Sequence, residues 1–510
     1  MGIFLKRQVR RIATCVLVVA CLSCFAVANE QTILFVDDAD ILYRAGSERK
    51  IQPAQKRAQP VIADAKPWEL AIGYCSVHRR PDTGEYQAWY QAYAGGRAKD
   101  PTRRVVLCYA TSRDGIVWEK PDLDLFDFND QKKTNIVLVG NGGRSVNYGA
   151  AVVHDESEKN PQRRYKLAYW DFVDVEGKQV PGLCVAFSPD GIHWEKFEAP
   201  PRLQGAYGEP GQPPLVSESA SSPKQRPAIS DVIDLMIDPN NGRYVIYSKT
   251  WIDGPQGDRF WKRAVVRTES SDFINWSEPI VVMVPTDDDF GQLHGAPVFD
   301  HHGVYFSLVQ RLDFGGYDRG GTGNMPSELA TSRDGIQWQR PFQEKMFLPV
   351  SGDGKSFDAG CLWTNGTPVI LQDEIRFYYG SYPSWNSDFD SSTTGIGVAS
   401  IPRDRFAALQ PRDEYAQVTL KPQLLTRDAK MRMNAAAESG QIQVELLSEG
   451  GYRIPGFTKA DAIPIKGDQL DHQVQWREKK ISDLPVGKYQ IRLHLENAKL
   501  FAITVTRPST

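Results

Sequence analysis

The heptad Ser-x-Asp-Gly-x-x-Trp occurs three times, at Ser112–Trp118, Ser188–Trp194 and Ser332–Trp338, with a weaker copy at Ser270–Trp276 where Phe273 stands in place of the glycine. Starts 76, 82 and 62 residues apart mark one supersecondary unit used repeatedly, the signature of a radial or stacked architecture. A β-rich run precedes each heptad, and upstream of it comes a hairpin of alternating apolar residues around a polar turn. Thus Ile72 to Val77 and Tyr86 to Tyr90 flank Pro81-Asp82-Thr83-Gly84, and Leu235 to Ile237 and Tyr244 to Tyr247 flank Asp238 to Gly242. One such four-stranded sheet cannot bury both faces unless it packs between copies of itself, which is the logic of a propeller blade. A fifth unit runs from Asp358 to Ser400, with Ser400 to Phe406 in the heptad's place, and Thr32 to Val36 is set to close the ring. The expected fold is all-β: a five-bladed β-propeller over residues 30–411, then a small β-sandwich over 412–510. In that second part Gln441 to Leu446, Val474 to Trp476, Tyr489 to Leu495 and Leu500 to Val505 alternate without a heptad.

The 510 residues carry a formal charge of −3 with Lys and Arg spread along the chain. No basic stripe offers itself to nucleic acid and no polybasic cluster to a membrane. Residues 1–28 read as a signal peptide: Lys6, Arg7, Arg10 and Arg11, an apolar run Ile12 to Leu22, then Ala26-Val27-Ala28 as the cleavage site. The expected location is secreted or periplasmic, with lipoprotein anchoring at Cys21 as the alternative, and a monomer is expected. No later run is long enough to span a bilayer. Cys75, Cys108, Cys184 and Cys361 lie in strand-like runs and are expected as free buried thiols.

In a propeller the first strand of each blade lines the channel, so the residue that starts it faces the pocket. Counting back 38 to 43 residues from the five heptad positions gives Glu69, Asn147, Asp231, His294 and Asp358. Glycosidic hydrolysis needs one protonated and one ionised carboxyl group on opposite sides of the bond. Asp231 and Glu69 are the expected catalytic pair, with Asp358 as modulator or alternative; Asp234 should point to the other side of its strand. The loops joining second to third strands open on the same face. With the strand starts Asn147, Tyr148 and His294, they place Trp170, Asp171, Trp251, Asp253, Arg311, Asp313, Tyr382 and Trp385 at a substrate-binding rim, where aromatic faces beside carboxylates suit a sugar ring. His301 and His302 sit in a turn that reads as solvated. No metal centre and no organic cofactor are implied, a structural calcium ion staying open. The heptad residues read as structural, their Ser and Asp satisfying turn amides and their Trp packing between sheets.

With these features the chain resembles the five-bladed propeller glycosidases of the invertase, levanase and arabinanase group, and more narrowly secreted bacterial proteins with a glycosyl hydrolase family 32 N-terminal-like domain. The resemblance covers about Thr32 to Val505. It is carried by Lys66-Pro67-Trp68-Glu69, Cys108 to Gly115, Ala186 to Gly191 and Leu329 to Gly335. It implies the fold and a carbohydrate substrate. The group's Asn-Asp-Pro, Arg-Asp-Pro and Glu-Cys motifs have no counterpart: blade one offers Trp68-Glu69 instead, and Asp238-Pro239-Asn240 falls in a hairpin turn. A fold does not confer an activity, so an exported glycoside hydrolase stands beside a non-catalytic carbohydrate-binding propeller and, more weakly, a sialidase-like protein.

Overall fold

Blade one contains Ala71–Arg79, Tyr86–Tyr93 and Val105–Ser112 in antiparallel order, with Trp118–Glu119 and Ile136–Leu138 along its outer edge. The computed structural model describes residues 29–507 apart from 199, 204, 206–227, 253–261, 286–290, 314–322, 344, 364–365, 386–388 and 391; the signal peptide expected at residues 1–28 lies outside them. Blade two is Tyr148–His154, Tyr165–Val175, Lys178–Ser188 and Glu195–Lys196; blade three is Ile233–Ile237, Tyr244–Ile252, Lys262–Ser270 and Ile280–Met283. In blade four Gln292–Gly295 and Val298–His301 share the innermost position, before Val304–Leu312, Ser327–Ser332 and Trp338–Gln339. Blade five has Cys361–Trp363 and Val369–Ile370 innermost, then Glu374–Tyr382 and Gly395–Pro402. The all-β, five-bladed arrangement is thus as the repeat predicts. Among the described residues no helix is long and apolar enough to cross a membrane.

The ring closes differently from expectation. Gln55–Lys56 and Ile62–Ala63 supply the outer strand of blade five by pairing with Gly395–Pro402. The segment expected to do this lies in Asn29–Leu34 and the residues just after it; Asn29–Leu34 pairs instead with Lys499–Arg507. Ile41–Ala45 and Ser47–Ile51 also join the C-terminal sheet, as does Ala407–Pro411. The second unit therefore draws on residues 29–51 as well as 407–507. Its spine is the 19-residue strand Lys430–Ser448, which pairs with Lys499–Arg507 along its first half and Gly487–Glu496 along its second. Leu34, Val36 and Ala502 share a buried cluster with Phe299, Phe306 and Phe406, so the two units have a continuous core at blades four and five.

Each heptad fastens a blade to the one before it. In the first, Ser112 Oγ accepts from the Gly115 amide (2.8 Å) while Asp114 Oδ1 accepts from the amides of Ile116 and Val117 (2.8 and 2.9 Å), and Trp118 Nε1 donates to the Gly115 carbonyl (3.1 Å). The same bonds recur at Ser188; at Ser332 the Ser and Asp bonds recur, while the buried Trp338 Nε1 has no partner among the described residues. Gly115, Gly191 and Gly335 take φ of 74°, 79° and 69°. Their carbonyls receive Tyr378 Oη (2.9 Å), Trp89 Nε1 (2.5 Å) and Tyr247 Oη (2.8 Å) from the preceding blades. A Cβ on Gly191 would lie 2.5 Å from the Trp89 ring. Gly191→Ala therefore adds a steric conflict to an unfavourable backbone and should cost about 2–4 kcal/mol, read from the urea midpoint. The weaker copy solves the junction by packing: Phe273, at φ 66°, is fully buried against Phe187 and Tyr244.

Candidate functional site

Asp231 precedes the first strand of blade three, opposite the end of the second strand, because Ile233 pairs with Ser248. Its Oδ1 accepts from Lys249 Nζ at 2.6 Å and from Ser230 Oγ at 2.9 Å. The Lys249 side chain is only 3% exposed, whereas 25% of the Asp231 side chain stays open. Burial pushes the Asp231 carboxyl up, but the groups around it, the Lys249 ammonium foremost, together more than reverse this, and the group sits below the usual carboxylate range. It is ionised at neutral pH. His294, from the first strand of blade four, is buried, with Nδ1 3.3 Å from Gln310 Oε1 and its ring edge-on to Trp385 at 5.6 Å. Burial first, then the charges of Lys249 and Arg263, hold this imidazole well below its ordinary range, so it is neutral. Arg263 donates to Gln292 Oε1 at 2.8 Å and lies 4.6 Å over the Trp251 ring.

The rest of the channel wall is aromatic. Ala71 and Tyr74 of blade one, Val232 of blade three, Leu312 and Met325 of blade four, and Cys361, Trp363 and Tyr382 of blade five form one cluster. Only the propeller axis brings these blades together. Trp363 sits 4.3 Å from Tyr382, 6.2 Å from Trp385 and 6.3 Å from Tyr74, while Tyr93 faces Tyr148 at 5.9 Å. Burial raises the phenols of Tyr93 and Tyr382, which stay protonated and able to donate. The structure thus joins Asp231, His294, Tyr148, Tyr382, Trp251 and Trp385 of the predicted residues. It adds Tyr74, Tyr93, Lys249, Arg263 and Trp363, which the sequence reading missed. Tyr74 and Trp363 lie inside predicted first strands, so applying the strand period beyond the first residue would have found them.

The same geometry ties Glu69 and Asp358 to their own blades instead of joining them to Asp231. Glu69 is buried and both oxygens are used: Oε2 accepts from the amides of Ala65 and Lys66 (2.9 Å each) and from Lys120 Nζ (2.6 Å), and Oε1 from Tyr90 Oη (2.7 Å). Asp358 repeats the pattern, with Lys56 Nζ at 2.7 Å and Tyr379 Oη at 3.1 Å on Oδ2. In each case the clamp is a tyrosine from the second strand and a lysine from the outer strand. Blade four carries a related pair, Arg340 on the buried Glu328. The cations Lys120, Lys196 and Arg340 all stand two residues after a heptad tryptophan. The equal spacing that singled out Glu69 and Asp358 therefore reflects, at these two blades, the clamping of a strand start to its own sheet.

No family model and no curated protein matches the sequence. Among solved structures the chain is similar to an N-acetylgalactosamine deacetylase from F. plautii in complex with blood group B trisaccharide, at 16% identity over 70% of this chain and 96% of that one, TM-score 0.43. It is similar to the Bombyx mori GH32 β-fructofuranosidase at 11% identity over 90% of this chain and 95% of that one, TM-score 0.40. A third is the catalytic domain of the Coprinopsis cinerea GH62 α-L-arabinofuranosidase, at 14% identity over 69% of this chain and 98% of that one, TM-score 0.42. What the pocket can do follows from its own residues.

The remaining rim residues divide. Trp170 is 2% exposed and packs in the core between blades two and three, edge-on to Phe172 at 4.9 Å, so it is a core residue and not a platform for substrate. Asp171 is buried as a loop cap: it accepts from Ser145 Oγ and the Val146 amide at 2.7 Å each and from the Phe172 amide at 2.9 Å. Asn147 is buried at φ 45°, its amide reaching the Val105 carbonyl. Arg311 Nη1 donates to the Gln343 carbonyl at 3.3 Å, and Asp313 begins the loop after the second strand of blade four. Asp253 lies outside the described residues. Asp234 is buried, accepts from the Ala296 amide of blade four at 2.8 Å and so links the two blades, and burial drives its carboxyl well above the usual range. Cys75, Cys108, Cys184 and Cys361 are buried and form no disulfide.

His294 gives the fold a pH dependence. Neutral in the fold but free to protonate when unfolded, it leaves stability intact above pH about 6.5 and removes up to about 1.4 kcal/mol per pH unit as pH falls below that. Urea midpoints between pH 7.5 and 5.5 should show a shallower decline in His294→Gln than in the parent.

Proposed function

We propose that the channel holds a carbohydrate and that Asp231 is the ionised carboxylate of an exported glycosidase acting on it. The observation that carries this reading is one juxtaposition: a carboxylate kept ionised by Lys249, part of its surface open, next to Val232 of the axial cluster that holds Trp363, Trp385, Tyr74 and Tyr382. Sugar rings present apolar C–H faces to such aromatics and hydroxyls to the carboxylate and phenols. The leader pattern at residues 1–28 supports export.

Cleavage also takes a protonated carboxyl group. With both Glu69 oxygens taken and Asp358 paired with Lys56, the carboxyl groups left from the expected rim are Asp313, which follows Val304–Leu312, and Asp253, which comes after Ile252 in sequence. The clamping of Glu69 by Lys120 and of Asp358 by Lys56 also favours a second reading, binding without cleavage. Calorimetric binding and reducing-end release on an oligosaccharide panel separate the two. Cleavage by the parent that Asp313→Asn or Asp253→Asn abolishes, with binding retained, supports the glycosidase. Binding without cleavage by the parent selects the second reading, and absence of both rejects a carbohydrate role.

A further inference from the structure

We propose that His301, His302 and Asp404, on the face opposite the pocket, form a binding site for a divalent transition-metal ion of the zinc class. The site stands where blade five joins blade four. At the junctions onto the first, second and fourth blades an aromatic N–H or O–H meets the carbonyl of a heptad glycine. Here the chain uses ionisable groups instead. His301 pairs with Val304, leaving His302 and Gly303 as a two-residue turn with φ of 55° and 74°. Such a turn needs left-handed backbone, which Asn or Gly adopts with least strain. Histidine is among the residues that adopt it more readily than most, and here it brings the second imidazole to within 4.1 Å of the first, centroid to centroid. Opposite them, Asp404 takes the left-handed φ of 68° near those of the heptad glycines and turns its carboxylate towards both rings.

The donor atoms converge. His301 Nε2 lies 2.6 Å and His302 Nε2 3.3 Å from the same oxygen, Asp404 Oδ1, and one ligand atom from each residue falls within 4.8 Å of the others. Tetrahedral zinc with ligands at 2.0–2.1 Å places neighbouring donors about 3.3 Å apart. One of these separations already fits, and the other must open by about 0.7 Å. Two imidazoles and a carboxylate leave a fourth position for water, the donor set that favours zinc-class ions over calcium or magnesium. His301 and Asp404 are buried, while the His302 side chain is 34% exposed, which gives the ion a way in. Arg403 Nε, 3.5 Å from Asp404 Oδ2, is the cation facing the site; its Nη2 is 2.9 Å from Asp471 Oδ2, and it steadies the ligating carboxylate from outside. The neighbouring Arg405 donates to Asn434 and pairs with Asp468 of the sandwich. An ion here would pin blade four, blade five and the sandwich at one point, away from Asp231.

The test uses the full-length protein stripped with a chelator and titrated with zinc chloride by calorimetry, with cobalt(II) absorption as an independent readout of the ligand set. The expected result is one ion per chain, a zinc-dependent rise in melting temperature, and a loss of affinity on the order of 100-fold or more in His302→Asn and Asp404→Asn. His302→Asn is the decisive variant, since asparagine keeps the left-handed turn and the exposed position while removing the imidazole. Unchanged circular dichroism in that variant keeps folding separate from binding. No stoichiometric uptake by the parent, or uptake that His302→Asn leaves unchanged, would overturn the proposal.

Discussion

Asp231→Asn should lower turnover of a cleaved oligosaccharide by 10²–10⁴-fold, in the range that one acid–base group contributes, while changing affinity by less than about tenfold. The amide keeps the size of the carboxylate and an acceptor for Ser230, but it can neither attack nor take a proton. Initial rates and calorimetry on the same preparation separate the two effects. The companion variant is Lys249→Met. Because the Lys249 ammonium holds the Asp231 carboxyl below its usual range, removing it should move the acid limb of the rate profile to higher pH. An acid limb that stays in place would mean that Asp231 is not the ionised group that limits the rate.

Glu69→Ala should destabilise the protein by about 3–5 kcal/mol, because it leaves the Lys120 ammonium buried without its partner. Lys120 is 13% and Glu69 0% exposed at the side chain, and the carboxylate also holds two amides and the Tyr90 hydroxyl. Lys120→Met combined with Glu69→Leu should recover much of the loss, since an apolar pair leaves no buried charge unpaired. Urea unfolding of the single and double variants measures both. A Glu69→Ala variant as stable as the parent, yet inactive, would return Glu69 to the catalytic role first read from its position.

The blade count was legible because Ser112, Ser188, Ser270 and Ser332 build the same local turn, and a turn is specified by a few adjacent residues. The spacing rule placed Asp231 and His294 in the channel for the same reason. It misread Glu69 and Asp358, since a strand start shows only that a carboxylate lies near the axis end of a blade. Whether it faces the channel or its own sheet depends on Lys120 and Lys56, one 51 residues downstream and the other 302 residues upstream. Ring closure by Gln55–Lys56 was hidden likewise, because a two-residue strand carries no period of its own. His301 looked solvated because its partner, Asp404, is 103 residues away.

A crystal structure of Asp231→Asn with an oligosaccharide that the panel identifies as bound would locate the saccharide. A sugar ring should lie against Trp363 or Trp385 in the channel, with a hydroxyl or the glycosidic oxygen within hydrogen-bond distance of position 231. A saccharide seated on the C-terminal sheet instead, with the channel empty, would remove Asp231 from any role in carbohydrate binding or cleavage.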